Sequence, residues 1–239
     1  MRYYLNVPSL PVKPQLNPGG ARCAKRVFLL SPAHAGGKRA QLLLREAATF
    51  ELAERLRERG VLLGEAFSFI SGLYFRGKLA YASAFAAPPH GAPGVLVITA
   101  CGGLMSPAAL ITRSELCEIS AAPVEASEPR YRVPLERDAH RLDEQVGDDC
   151  EVVLLGSVAT PKYVEPLMAI FGERLFFPAE FAGRGDMSRG GLMLRCVRQG
   201  VELNYVSIMS ADRRGRRPAK LPKLIASGAT RKRTLVPSE

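Results

Sequence analysis

Asp186, Ser188 and Arg189 stand among Gly183, Gly185, Gly190 and Gly191, the densest polar and glycine cluster in the chain. Glycines let a backbone approach a ligand closely. A carboxylate held there can act as a base or orient water, and Arg189, with Arg184, can pair with phosphate. The competing reading is a turn in which Asp186 caps backbone amides and the arginines are solvated. A second cluster is Ser31-Pro-Ala-His-Ala-Gly-Gly-Lys-Arg39. Its small residues fit a tight turn into a helix, where backbone N–H groups with Ser31, Lys38 and Arg39 suit an anion. The spacing is not that of a Walker A loop, and the plain alternative is a strand-to-helix connection with exposed cations. His34 in this turn is the reserve acid–base candidate behind Asp186. Tyr74, Arg76 and Lys78 form a third group, an aromatic face for stacking on a base beside cations for phosphate. The alternative there is a core tyrosine with solvated cations. Ser157 and Lys162, with Thr160 and Tyr163, complete a possible common crevice.

The elements that would position these groups follow one design. Val27–Ser31, Val95–Thr99 and Val152–Leu155 are short apolar runs of buried-strand type, each followed by a turn of small residues. Loops at the carboxyl ends of such strands form the ligand crevice of an open α/β sheet. Helices are expected over 46–59, with Glu51 and Arg55 paired, and over 65–85, with Phe67, Ile70, Tyr74, Tyr81 and Phe85 on one face. Gly72 and Gly77 inside the latter imply a break or close packing. Further helices are expected around 113–119, from Pro134 to Val146, and over 163–171. Leu192–Cys196 and Leu203–Ile208, around Gln199-Gly200, read as a C-terminal antiparallel hairpin. The fold class is α/β: a three-layer sandwich with a mostly parallel central sheet. An irregular arm (1–25), rich in proline and including a short strand at Arg2–Val7, precedes a single domain (26–209). A basic tail (210–239) follows it.

Hydrophobic residues make up 47% of the 239, enough for a core, so wholesale disorder is excluded. No apolar run approaches the roughly 18 residues of a membrane span, and there is no signal-peptide pattern. A cytoplasmic protein with no membrane partner is expected. Five cysteines without CxxC spacing, and three histidines, point to no metal, no disulfide and no cofactor. Cys101, in a strand-end turn, is the one thiol whose activation would need a nearby cation or helix N-terminus. Charge concentrates in the tail: nine Lys or Arg against two acids, +7 of the chain's +10. Arg213, Arg214, Arg216, Arg217, Arg231, Lys232 and Arg233 therefore suit nonspecific contact with a polyanion.

Ser71-Gly-Leu-Tyr-Phe-Arg-Gly-Lys-Leu-Ala-Tyr-Ala82, followed by Val95-Leu-Val-Ile-Thr-Ala-Cys-Gly-Gly-Leu-Met-Ser-Pro107, resembles the YaaA-like peroxide-stress proteins and their relatives. The similarity covers about 70–170 and extends to Val152-Val-Leu-Leu-Gly-Ser157 with Tyr163 and Leu167. It implies a fold akin to the uracil-DNA glycosylase α/β sandwich and an association with DNA. The family's opening Cys-Ser-x-x-Lys stretch is replaced here by Leu30–Lys38, and no glycosylase water-activating motif is present, so no catalytic residue carries over. The combined expectation is a nucleic-acid-associated protein, with DNA favoured over RNA, that cleaves or exchanges an N-glycosidic bond to a base. Asp186 would be its carboxylate, and Arg189 and Lys38 its phosphate holders. The alternatives are a nonenzymatic DNA- or RNA-binding protein and an enzyme acting on nucleotides or nucleosides. The sequence leaves the oligomeric state open.

Overall fold

A computed structural model describes residues 24–211 together with Gly215, Pro218, Ala219 and Leu221. The expected arm and its strand at Arg2–Val7 lie almost wholly outside the described residues, as do all seven tail cations named above.

The domain is α/β, built on a six-stranded sheet. The chain runs β1 (Lys25–Leu30), α1 (Lys38–Leu44), α2 (Glu51–Glu58), β2 (Val61–Leu62), α3 (Leu63–Ser71), α4 (Leu73–Phe85) and β3 (Val95–Ile98). It continues through β4 (Leu104–Met105), β5 (Leu110–Ile111), α5 (Arg113–Ala121), α6 (Pro129–Val146), β6 (Cys150–Leu155) and α7 (Pro161–Phe171). It closes with β7 (Leu175–Pro178), α8 (Asp186–Gln199) and β8 (Tyr205–Ser207). The sheet order is β4-β3-β1-β6-β7-β8. Strands β3, β1, β6 and β7 are mutually parallel, and antiparallel β4 and β8 close the two edges. β2 and β5 form a separate antiparallel pair. Phe28, Leu29 and Leu30 in β1 and Val152–Leu155 in β6 are fully buried, as continuous apolar runs in a parallel sheet must be.

From β1 the chain winds outward to β3 on one side and later to β6 and β7 on the other. A crevice opens beside such a reversal, at the carboxyl ends of the strands. Ser31 follows β1 and Ser157 follows its neighbour β6, so the reversal brings these two turns together.

Several elements differ from the sequence expectation. The hairpin does not form: Leu192–Cys196 lies inside α8, and β8 pairs antiparallel with β7 instead. Arg189, Gly190, Met193 and Cys196 are the buried residues of α8, a spacing of three to four that alternation in the same stretch conceals. The helix expected from Pro134 starts at Pro129, which takes the first helical position and leaves Pro134 inside. The helix expected from 46 starts at Glu51, and Arg55 pairs across at 2.7 Å with Glu65 rather than with Glu51. The long helix over 65–85 is broken at Gly72, whose φ of +59° suits glycine alone.

Gly77 does the other thing expected of glycine. A Cβ there would lie 2.7 Å from the Gly190 carbonyl oxygen, and one on Gly190 would lie 2.8 Å from the Leu73 oxygen. Helices α4 and α8 therefore cross backbone against backbone. That contact carries the first turn of α8, and with it Asp186, to the sheet edge where α4 presents Tyr74 and Lys78.

Candidate functional site

A cleft of about 660 Å³ opens at the carboxyl edge of the sheet. Its volume falls within the ordinary range for small-ligand sites. Ser31–Gly36 line one wall, Ala100 and the 119–125 segment another, and Ser157, Lys162, Tyr163, Tyr74 and Asp186 the remainder. Of the sequence candidates, Ser31, His34, Tyr74, Ser157, Lys162 and Asp186 thus share one cavity.

Each reaches it for a local reason. Ser31 leaves β1 with its N–H bonded to the Leu155 carbonyl at 3.1 Å, one last rung of the parallel ladder. Gly156 packs onto it so closely that a Cβ there would sit 2.9 Å from Ser31 Cβ. Lys162 and Tyr163 occupy the first turn of α7, where Pro161 opens the helix. The Tyr131 hydroxyl on α6 donates to the Lys162 carbonyl at 2.9 Å and fixes that turn. Asp186 is the first residue of α8, where a carboxylate is favoured by the helix dipole. Its side chain is 68% exposed at the cleft mouth, 3.5 Å from the Arg189 guanidinium.

Other candidates are placed elsewhere. Arg189 is buried, and its guanidinium donates to the Phe181 carbonyl at 2.8 Å, so it braces α8 and Asp186 and does not face a phosphate. Ser188 accepts a hydrogen bond from Arg184 at 2.9 Å and lies off the cleft wall. Lys38 and Arg39 are exposed in α1 beyond the lining, and Arg39 donates to the Phe69 carbonyl at 3.3 Å. Arg76 is exposed on the far side of α4 from Tyr74 and Lys78 and donates back to Gly72 at 3.4 Å. The basic-aromatic patch therefore does not exist as a surface. Cys101 is half-buried and its thiol is pushed up by burial, the opposite of an activated thiolate.

Lys78 is the largest departure. It is fully buried, and its Nζ donates to the Ser31 carbonyl and lies 2.9 Å from Ser31 Oγ. The Tyr74 and Phe75 rings lie 4.5 Å and 5.0 Å from the same nitrogen. Burial pulls the amine down to about 7, opposed by Asp186 and assisted by Arg189. Burial also pushes the Tyr74 hydroxyl up to about 12, and that oxygen is buried without a well-formed hydrogen bond although Arg189 lies near it. Ser71, Ser120 and Glu125 line the cleft as well and were not singled out by sequence. Their segments, the end of α3 and the loop leaving α5, carry no motif. Among the described residues, no group of His, Cys, Asp or Glu could hold a metal ion, and no helix is long and apolar enough to cross a membrane.

No family model, curated protein or solved structure matches the chain.

Proposed function

We propose that the cleft takes a nucleotide-sized ligand, free or flipped out of DNA, and that the chain hydrolyses or exchanges its N-glycosidic bond. The observation that carries this reading is the placement of Asp186. A carboxylate stands at the mouth of a nucleotide-sized cavity that has Lys162 and the first turn of α7 on its wall. Breaking an N-glycosidic bond develops positive charge on the sugar, which a fixed carboxylate stabilises while it aligns water. Lys162 and the α7 amides suit the 5′-phosphate. The base would lie against the 119–125 wall and the Tyr163 ring. A flipped base costs least to extrude from damaged or single-stranded DNA. The basic tail would add nonspecific affinity with a steep salt dependence.

Base release from single-stranded DNA and from nucleoside monophosphates, followed by chromatography, tests the reading. Asp186→Asn keeps the side chain's size and is expected to lower release at least 100-fold while ligand binding persists. Lys162→Ala is expected to weaken binding chiefly at low salt. Full activity in Asp186→Asn, or no base release by the parent chain, overturns the reading.

A further inference from the structure

Lys78 has no part in N-glycosidic chemistry, yet it is the most unusual group in the domain. A buried lysine ordinarily reaches a carboxylate or extends its head to water. The hydrogen bonds of this one, among the described residues, go to Ser31 alone. The two members of the pair divide their positions: Ser31 lines the cleft, and Lys78 stands directly behind it, within proton-transfer distance of whatever is bonded at Oγ. Gly156 closes the back of the hydroxyl, since a Cβ there would meet Ser31 Oγ at 3.2 Å. A hydroxyl on the floor of a cavity, held against an amine with no counter-charge bonded to it, is the arrangement an activated nucleophile needs.

We propose that Ser31 is a nucleophile and Lys78 its general base, a serine–lysine pair that transfers the acyl group of an ester or amide seated in the cleft. Ser31 Oγ forms a bond to the carbonyl carbon as its proton passes to the lone pair on Lys78 Nζ. The carbonyl electron pair moves onto oxygen and returns to expel the alcohol or amine, which takes the proton back from Lys78. Water then gives its proton to Lys78 and attacks the acyl-serine, and the acid leaves as Ser31 recovers its hydrogen. Water is the one co-reactant. The acyl chain would rest on the apolar wall of Ala33, Ala35, Ala100, Ile119 and Val124. This activity stands apart from the N-glycosidic reading and does not rest on it.

The amine must be neutral to accept the proton. The ionisable groups that act on it are Asp186 and Arg189 of α8, which oppose one another, and the Tyr74 phenol, which burial keeps protonated. Nucleophilicity should therefore switch on as pH rises through about 7, where burial places the amine.

The full chain is treated with phenylmethylsulfonyl fluoride, whose sulfur forms a bond to Oγ as fluoride leaves, and the adduct is mapped by mass spectrometry. The expected result is a single adduct at Ser31 whose rate rises to a plateau with a midpoint near pH 7. Ser31→Ala should abolish the adduct, and Lys78→Met should slow it at least 100-fold. Should Lys78→Met fail to fold, the pH profile of the parent decides. No adduct, labelling of Ser157 or Ser188 as fast as of Ser31, or a rate that climbs with hydroxide without a plateau overturns the pair. Base release without a Ser31 adduct removes this proposal and leaves Asp186 standing. An adduct without base release does the reverse.

Discussion

Helix α4 carries two buried polar clusters, one turn apart, and they are built on different rules. Around Tyr81 the two tyrosine hydroxyls and the Arg26 guanidinium are matched. Its hydroxyl bonds that of Tyr205 and accepts the Leu203 N–H at 2.8 Å. Arg26 lies 4.4 Å over the Tyr205 ring and pairs with Glu151 at 2.7 Å and with Glu202. Around Lys78 matching stops short: a fully buried amine shares its hydrogen bonds with one serine, and the Tyr74 hydroxyl beside it lacks a good partner. The first cluster ties β8 and the loop before it to β1 and α4, and a satisfied network suits that task. The second faces the cleft. A buried amine with no counter-charge bonded to it destabilises a fold, and a lysine so perturbed beside a cleft is a candidate for function.

The contrast has a pH signature, and it is the largest effect to look for. Burial pulls Lys78 down to about 7 in the folded chain from its ordinary 10.5, so between these values the unfolded chain binds the extra proton. From this amine, stability should therefore rise with pH from about 7 to about 10, by several kcal/mol at about 1.4 kcal/mol per unit of pKa difference, opposed from about 9 upward by the Cys150 thiol, which burial raises to about 11. Above about 10 the opposite sign takes over. Tyr74 and Tyr81 are raised to about 12, so the unfolded tyrosines lose their protons first and stability falls. Urea midpoints across pH 6–11 check both limbs. Lys78→Met should lose the rise and keep the fall. A rise that survives in Lys78→Met assigns it to another group.

A smaller effect is expected where the two helices touch. Gly77→Ala sets a methyl 2.7 Å from the Gly190 oxygen and 2.9 Å from its Cα, atoms of a backbone that cannot yield locally. The overpacking cost of about 1–3 kcal/mol exceeds the roughly 1 kcal/mol gained in helix propensity. Melting temperature should drop by several degrees, and base release should fall with it as Asp186 moves from the cleft. An unchanged melting temperature would mean that α8 is not seated on α4 in this way. The smallest effect separates the clusters from the other side. Tyr205→Phe removes one hydroxyl from the satisfied network and should cost about 1 kcal/mol, leaving Ser31 labelling untouched. Loss of labelling in Tyr205→Phe would join the two clusters into one.

Much of the sheet and the crevice is legible in the residues. The three apolar runs before small-residue turns are β1, β3 and β6, and Ser31, Ala100 and Ser157, just beyond them, line one cleft with Asp186, whereas Cys101–Leu104 do not. Lys78 carried a legible signal as well. It falls at i+4 from Tyr74 and three before Tyr81, squarely on the stripe formed by Ile70, Tyr74, Tyr81 and Phe85, whereas Arg76 falls off it. A lone cation in the middle of an apolar helical face must bury its stem at least, and grouping Lys78 with Arg76 by proximity in sequence hid this. The glycines of 183–191 misled for a different reason. Gly190 serves a contact with Gly77, more than a hundred residues earlier, and a nonlocal close approach leaves no local trace. Strand β7 is only four residues long, and Arg189 looks like a phosphate ligand until the Phe181 carbonyl is placed beneath it.

The charge state of Lys78 tests the contrast between the two clusters most directly. With lysine labelled at ¹³Cε, its shift can be followed through a pH titration of the folded chain, with Lys78→Met used to assign the resonance. A midpoint near 7, far below lysine's ordinary 10.5, is the predicted result. A midpoint near 10.5 would show an ordinary charged lysine behind Ser31, and the chemistry assigned to that end of α4 would fall.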